Sequence, residues 1–471
     1  MFTRNQNTAR FFRRLTSQPV SALMIALIII GATASGLGKL VKDTSVKAFI
    51  PLGHPSLVAD DKAREIFGLT DSVAVALVTP DGQTVFEPQT LDLIATLSDQ
   101  IAALPNIHSD RVASIATESS IRGEDGAVLV DSYVVPGMNR TDAADSLERW
   151  QHMPPHQGTL VSNDAKSAII IAELVNSDTA DQTYQSVLEI VNSTSPTALE
   201  FHVAGPGAVS GFLSSYIDQD ARKLQPLVFV LVLGFIYFAF RKLSALPGPL
   251  FVIIGAAGGA LGIMSWSGVP YYAITNALPV IVVAISVADA IHILSTYYRY
   301  QAREPSEPVR EVVIASMTNM ARPITLTTLT TIAGFVGIGA VSIMPPITAF
   351  AWFAALGVLL AWFFSIFALP NLLVLIKPGP SPAFTSWADN RPSGVGKFLA
   401  HIGAYSATRY KTVLSAFLAL AVVVAIGAMQ LRIDRSQVDN FAADEPIRVA
   451  DTFINDNFAG SAFLDVLIDT G

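Results

Sequence analysis

The sequence holds no cysteine in 471 residues, which excludes disulfides and thiolate metal ligands and leaves the redox compartment open. Charge is scarce too. Asp, Glu, Lys and Arg supply 14% of the chain, against about 25% in an ordinary soluble domain. Hydrophobic residues make up 51%, and mean hydropathy is +0.47. No Gly-rich phosphate loop of the Walker type occurs, so ATP is not a visible energy source. His152 and His156 flank Pro154-Pro155, a spacing that reads as a solvated loop rather than a metal site. No metal site and no enzymatic activity are expected.

The formal net charge of −8 averages two separated populations. Acids concentrate in one long polar segment, while Lys and Arg gather in short connections between apolar runs, a pattern that concerns membrane topology and not nucleic acid. Residues 1–18 carry Arg4, Arg10, Arg13 and Arg14 and no acid, so they read as a cytoplasmic N-terminus. The apolar run at 19–42 follows, long enough to be an uncleaved first span rather than a signal peptide. Further spans are predicted at 225–240, 249–266, 272–297, 323–342, 347–376 and 412–431. In domain terms these are a five-span bundle over 224–376, a cytoplasmic linker over 377–410 and a seventh span over 411–431.

The segment 43–223 is mixed in polarity and is expected outside the cytoplasm. Its patterning predicts strands at 72–79, 108–115, 167–174 and 199–204 with helices at 89–104 and 180–192. Two strand–helix–strand units of this size predict a ferredoxin-like α+β sandwich. Residues 432–471 repeat its beginning: Asp43, Ser45, Pro55, Ala59, Asp60 and Phe67 recur as Asp434, Ser436, Pro446, Ala450, Asp451 and Phe458. Beyond it, 72–79 is answered by 462–469. The spacing, about 390 residues, predicts a duplicated protein of about 800 residues of which this chain carries the first half and the opening of the second.

One side chain breaks the apolar pattern. Between Lys242 and Arg299 the only Asp, Glu, Lys or Arg is Asp289, midway along a predicted span. A charge there costs about 2.5–3.5 kcal/mol on insertion scales, so such a group faces the bundle interior and serves an ion or substrate path. Removal from water favours the neutral form of a carboxylic acid, which allows a buried one to load and release a proton. Ser286 and His292, three residues to either side, are expected on the same helix face, placed to tune it. Threonines crowd the next span at Thr325, Thr327, Thr328, Thr330 and Thr331. Of these, Thr327 and Thr331 form with Gly334 a small-residue stripe suited to close helix packing and to relay support.

The fourth-span motif Val287-Ala-Asp-Ala-Ile-His-Ile-Leu294 and the fifth-span motif from Arg322 through Pro323, Thr327 and Gly334 to Phe335 resemble signatures of the resistance-nodulation-division (RND) superfamily. One span, a large external domain and five more spans, begun again, is also similar to that architecture. Where the drug-efflux branch has two adjacent acids, this chain has Ala288 before Asp289. The form resembles instead the MMPL, hopanoid- and sterol-transporter and Patched-like branches, with Ile285 and Ala290 in place of a glycine and an aromatic residue. The resemblance implies a polytopic α-helical membrane protein with a ferredoxin-like, porter-type extracytoplasmic domain in a truncated duplicated RND architecture. It implies a proton-driven exporter of hydrophobic or lipid-like molecules in a bacterial inner membrane, protons serving in place of a cofactor. It also places the Thr327 stripe beside the acid-bearing helix. Expected partners are membrane lipids, the lipid-like substrate, the second half of the protein, and a homo-oligomeric or periplasmic partner. A non-pumping sterol-sensing receptor, a component driving protein export and an inactive half-transporter stand as alternatives.

Overall fold

Long apolar segments in a bilayer satisfy their backbone polar groups only as helices or closed barrels. In the computed structural model, which describes residues 6–51, 53–124, 127–194, 199–384, 394–431, 438 and 441–461, they are helices. In chain order, α1 (Gln6–Leu15) and α2 (Pro19–Ala34) precede α3 (Pro55–Phe67), β1 (Ser72–Val78), α4 (Pro88–Ala102) and β2 (Ile107–Ala113). Then come β3 (Ser119–Glu124), β4 (Ala127–Ser132), α5 (Arg140–Gln151), β5 (Ser167–Leu174), α6 (Ala180–Ser193) and β6 (Glu200–Ala204). The rest is helical: α7 (Pro206–Phe240), α8 (Pro247–Trp266), α9 (Ala277–Arg303), α10 (Val309–Val341), α11 (Pro345–Phe363) and α12 (Leu369–Ile376). The last three are α13 (Gly394–Thr408), α14 (Tyr410–Ala428) and α15 (Pro446–Asn457).

The chain divides into two units, one of residues Met1–Lys42 and Asp220–Asp434, the other of Asp43–Gln219 and Arg435–Gly471. Among the described residues seven helices are long and apolar enough to cross a membrane: Pro19–Lys39, Pro206–Phe240, Leu243–Trp266, Ala273–Arg303, Val309–Val341, Pro345–Ile376 and Tyr410–Ala428. Two of them start far earlier than their apolar runs, because hydropathy marks the stretch that fits a bilayer and not where the helix begins. Pro323, read from sequence as the first residue of a span, lies inside α10, as Pro226 lies inside α7. A ring at such a position removes one backbone donor, and in apolar surroundings Ser and Thr hydroxyls compensate. Around Pro323, Thr325 Oγ1 donates to the Ala321 carbonyl and Thr327 Oγ1 to those of Pro323 and Ile324.

Small residues allow a close helix contact in this unit. A Cβ placed on Gly262 of α8 would lie 1.9 Å from the Thr33 carbonyl oxygen, and one on Gly255 would lie 2.7 Å from the Phe364 ring. Gly262 admits the backbone of α2, while Gly255 and Gly259 make room for the side chains of Phe364 and Leu360, the means by which helices pack where lipid offers no hydrophobic drive. α1 is a helix with Phe12 buried in the apolar core of this unit, and Arg13 Nη2 donates to Glu311 Oε2 at 2.8 Å.

In the second unit four strands form an antiparallel sheet in the order β2-β5-β1-β6, with α4 between β1 and β2 and α6 between β5 and β6. The central strand β1 alternates large and small side chains. Val73, Val75 and Leu77 enter the core shared with α4 and α6. Ala74 and Ala76 point the other way, where with Ile169 and Ala204 they meet Ala450, Ile454 and Phe458 of α15 and its C-terminal cap. The period of two along a strand assigns these faces. Beside the sheet, the β3–β4 hairpin and α5 make a short insertion. α5 begins at a capping box, Asn139 accepting from Thr141 and Asp142 backbone N–H groups while Asp142 accepts from that of Asn139.

Candidate functional site in the membrane unit

Asp289 lies near the middle of the 27 residues of α9. The surrounding Val282, Val283, Ser286, Val287 and Ala290 are buried, and Asp289 itself is 6% exposed. Its Oδ2 has no hydrogen-bond partner among the described residues. A buried carboxyl oxygen without a partner is costly, and such exceptions call for an explanation by bound water, an ion or a functional role.

The two residues expected to tune Asp289 part company. Ser286 is fully buried, and its hydroxyl donates to the Val282 carbonyl at 2.7 Å, closing onto its own helix. His292 is exposed. Ser286 and His292 each stand about 60° from Asp289, on opposite sides of it, and the flank that holds His292 lies outside the packed core. The expectation that all three converge is therefore corrected for His292.

The small-residue stripe of α10 is corrected as well. Thr327 and Gly334 are exposed and Thr331 is half-buried. A Cβ on Gly334 would meet nothing within 4 Å, and Thr331 Oγ1 donates to the Thr327 carbonyl at 2.9 Å. α10 does pack beside α9 and α11, but through Met317, Ile324 and Thr328, which are buried, and through Gly339 against Trp352. Thr325, half-buried, accepts from Trp362 Nε1 at 2.9 Å, which ties α10 to α11.

Sequence reasoning missed a second polar locus. Between α11 and α12 the helix widens into a π turn at Phe364–Ala368 that packs against α9. Ser365 Oγ in this turn and Asn371 Oδ1 just beyond it are buried without partners among the described residues, although Asn371 Nδ2 donates to the Phe367 carbonyl at 2.7 Å. Turns of this kind concentrate at functional positions. Its signal was a lone Asn after Pro370 within an otherwise apolar run. Where α9 and α10 emerge, a cleft of about 860 Å³ is lined by Arg13, Tyr300, Glu304, Glu307, Asn319 and Arg322 among others.

A family model, Patched, described as the Patched SSD, matches residues 229–375. In this segment, less than a third of the chain, the sequence is similar to the Patched SSD. The match runs from within α7 into α12, enclosing Asp289 and the π turn. Together with the seven apolar helices it supports a polytopic helical membrane protein carrying a segment similar to the Patched SSD. No curated protein matches the chain.

Within the α+β unit a cleft of about 740 Å³ lies between α6, β6, α7 and the start of α15. Tyr184, Leu188, Phe201, His202, Phe212 and Pro446 line it, an apolar wall with a few polar groups, as small-molecule sites have. His202 stacks on Phe453 at 4.4 Å between ring centroids, with Nε2 3.3 Å from Glu200 Oε1. Burial lowers the His202 pKa, the Glu200 charge opposing the shift in part. Tyr184 is pushed up to about 12, by burial first and by Glu445 second.

Proposed function

We propose that the protein is an RND-type transporter that moves hydrophobic or amphiphilic, lipid-like molecules using the proton gradient, with Asp289 carrying the coupling proton. The observation that carries this reading is the lone mid-span carboxyl of Asp289, buried, with one oxygen lacking a partner among the described residues. Protonation removes a charge that the packed helices do not compensate, and deprotonation restores it, so the two states favour different helix arrangements. The unpartnered Ser365 and Asn371 oxygens support a hydrated route near the same helix, and the cleft at the ends of α9 and α10 supports access for water. The order of the four strands with its two crossover helices supports a ferredoxin-like, porter-type domain, and the cleft beside β6 supports capture of an apolar ligand there. On this reading the N-terminus lies in the cytoplasm of a bacterial cell and the α+β unit outside.

Asp289→Asn keeps the volume and removes the titration. Export of a fluorescent lipid from cells is expected to fall to background in this variant at unchanged protein level, and to fall equally in the wild type when an uncoupler collapses the gradient. Undiminished export by Asp289→Asn overturns the proposal.

The Patched SSD match favours one rival: a sterol-sensing receptor that binds ligand without pumping. For that protein, binding of a photoactivatable sterol is unaffected by the uncoupler and no net flux is seen in either form.

A further inference from the structure

The cleft of about 860 Å³ where α9 ends and α10 begins has walls that are fixed to one another. α1 forms one wall and is tied to α10 twice. Arg13 Nη2 donates to Glu311 Oε2 at 2.8 Å, and Arg310 Nη2 donates to the Arg13 carbonyl at 2.7 Å. α10 is joined to α9 by Asn319 Nδ2, which donates to Tyr300 Oη at 2.6 Å.

The charges of Arg13 and Glu311 offset each other, and three more line the cleft. Arg322, Glu304 and Glu307 are exposed, and none of the three has a side-chain hydrogen bond or ion pair among the described residues. Their order follows the membrane. Arg322 stands directly before Pro323, where the apolar stretch of α10 begins, so it marks the edge of the hydrocarbon layer. Tyr300, held level with Asn319 by their hydrogen bond, follows the apolar stretch of α9. Glu304 lies one helical turn further out, about 6 Å at 1.5 Å per residue, and Glu307 follows in the connection to α10. Going outward from the bilayer, the cleft offers a cation first and carboxylates after it.

A phospholipid with an amine in its headgroup carries the complementary order: phosphate next to the glycerol, ammonium beyond it. An arginine fork matches phosphate oxygens, and a primary ammonium brings three N–H donors to carboxylates. Pockets lined by cations alone suit anionic headgroups; here Glu304 and Glu307 oppose them. A choline headgroup has the right charges but no N–H to donate.

We propose that this cleft seats the headgroup of an ethanolamine phospholipid from the adjoining leaflet, with its phosphate on Arg322 and its ammonium on Glu304 and Glu307. The site does not depend on proton transport, and its test reads binding alone. The purified whole chain, stripped of lipid in detergent, is titrated with dioleoyl lipids carrying ethanolamine, choline or glycerol headgroups and followed by native mass spectrometry. The ethanolamine lipid is expected to bind about tenfold more tightly than either of the others, as charge-assisted contacts at both ends allow. Glu304→Gln/Glu307→Gln changes only exposed residues at the connection between the helices, and is expected to bring the ethanolamine and choline lipids to equal affinity. Arg322→Gln is expected to weaken both alike, and Arg322→Lys to restore part of the loss. Equal binding of ethanolamine and choline lipids by the wild type overturns the proposal. So does an ethanolamine preference that survives in Glu304→Gln/Glu307→Gln, or tighter binding of the glycerol lipid. Soluble glycerophosphoethanolamine is expected to leave the bound lipid in place at equal concentration; displacement there means that the ligand is a free phosphodiester, and the leaflet as its source is then wrong.

Discussion

At the scale of single residues, the charges of the α+β unit titrate in opposite senses. Burial alone pulls the pKa of Asp71 up, yet hydrogen bonds from Ser177 and Arg64 outweigh this and hold it below the usual carboxylate range. A depressed acid stabilises the fold above its unfolded-state pKa, near 3.8, and that contribution disappears as pH falls through the lower folded value. Asp71→Asn is therefore expected to lower the thermal midpoint of the full chain at neutral pH and to make no difference near pH 2, which a pair of melting curves checks. His202 behaves in the other direction. Being held neutral by burial, it takes up its proton more readily in the unfolded chain than in the folded one, so stability erodes as pH drops below about 6.5. The ring is stacked on Phe453 of α15, so the protection of amides in 446–457 relative to their intrinsic exchange rates is expected to fall between pH 7 and pH 5. In His202→Gln that fall is expected to vanish.

At the scale of elements, the glycine strip of α8 carries a sharper consequence than the threonines of α10. Gly262→Leu puts a side chain where the Thr33 carbonyl stands, and overpacking of this kind costs about 1–3 kcal/mol or more. Gly334→Leu meets open space. The first variant is expected to lose thermal stability in detergent and the second to retain it; equal losses would mean that α2 does not pack on that strip. The contrast also shows what was readable in advance. Both strips have small residues at helical spacing, but periodicity says only that a face exists, not which neighbour meets it. The strands lay close to their alternation, since β1 reads Val-Ala-Val-Ala-Leu and β5 is Ser167–Leu174, the segment that the sequence marked. The helix α3 escaped notice because its apolar residues do not form one buried face: Ala63 is buried while Val58, Ile66 and Phe67 are exposed. α5 and the β3–β4 hairpin escaped because they carry little apolar periodicity at all. Likewise α7 and α10 run past the bilayer-length apolar stretch, through prolines that sequence reasoning takes as boundaries. The repeated strand 462–469 lies outside the described residues.

At the scale of the molecule, composition alone required many spans, and the carboxyl among them was the one group whose presence in apolar surroundings needed a reason. Asp289 was legible because no other acid or base stands between Lys242 and Arg299. Its neighbours were not: His292 faces outward and Ser286 bonds to its own helix, while Ser365 and Asn371 come from another span, which only the folded chain brings to α9. Ser365→Ala removes a hydroxyl that has no protein partner among the described residues, and on the transporter reading it slows transport while leaving the thermal midpoint nearly unchanged. The central claim is coupling itself. The most direct measurement is proton movement in sealed proteoliposomes holding the purified chain, with a pH-sensitive dye inside and a fluorescent lipid as substrate. The account predicts a proton flux that appears only when substrate is present and that Asp289→Asn abolishes. A flux of the same size in that variant, or substrate movement with no proton movement in the wild type, contradicts it.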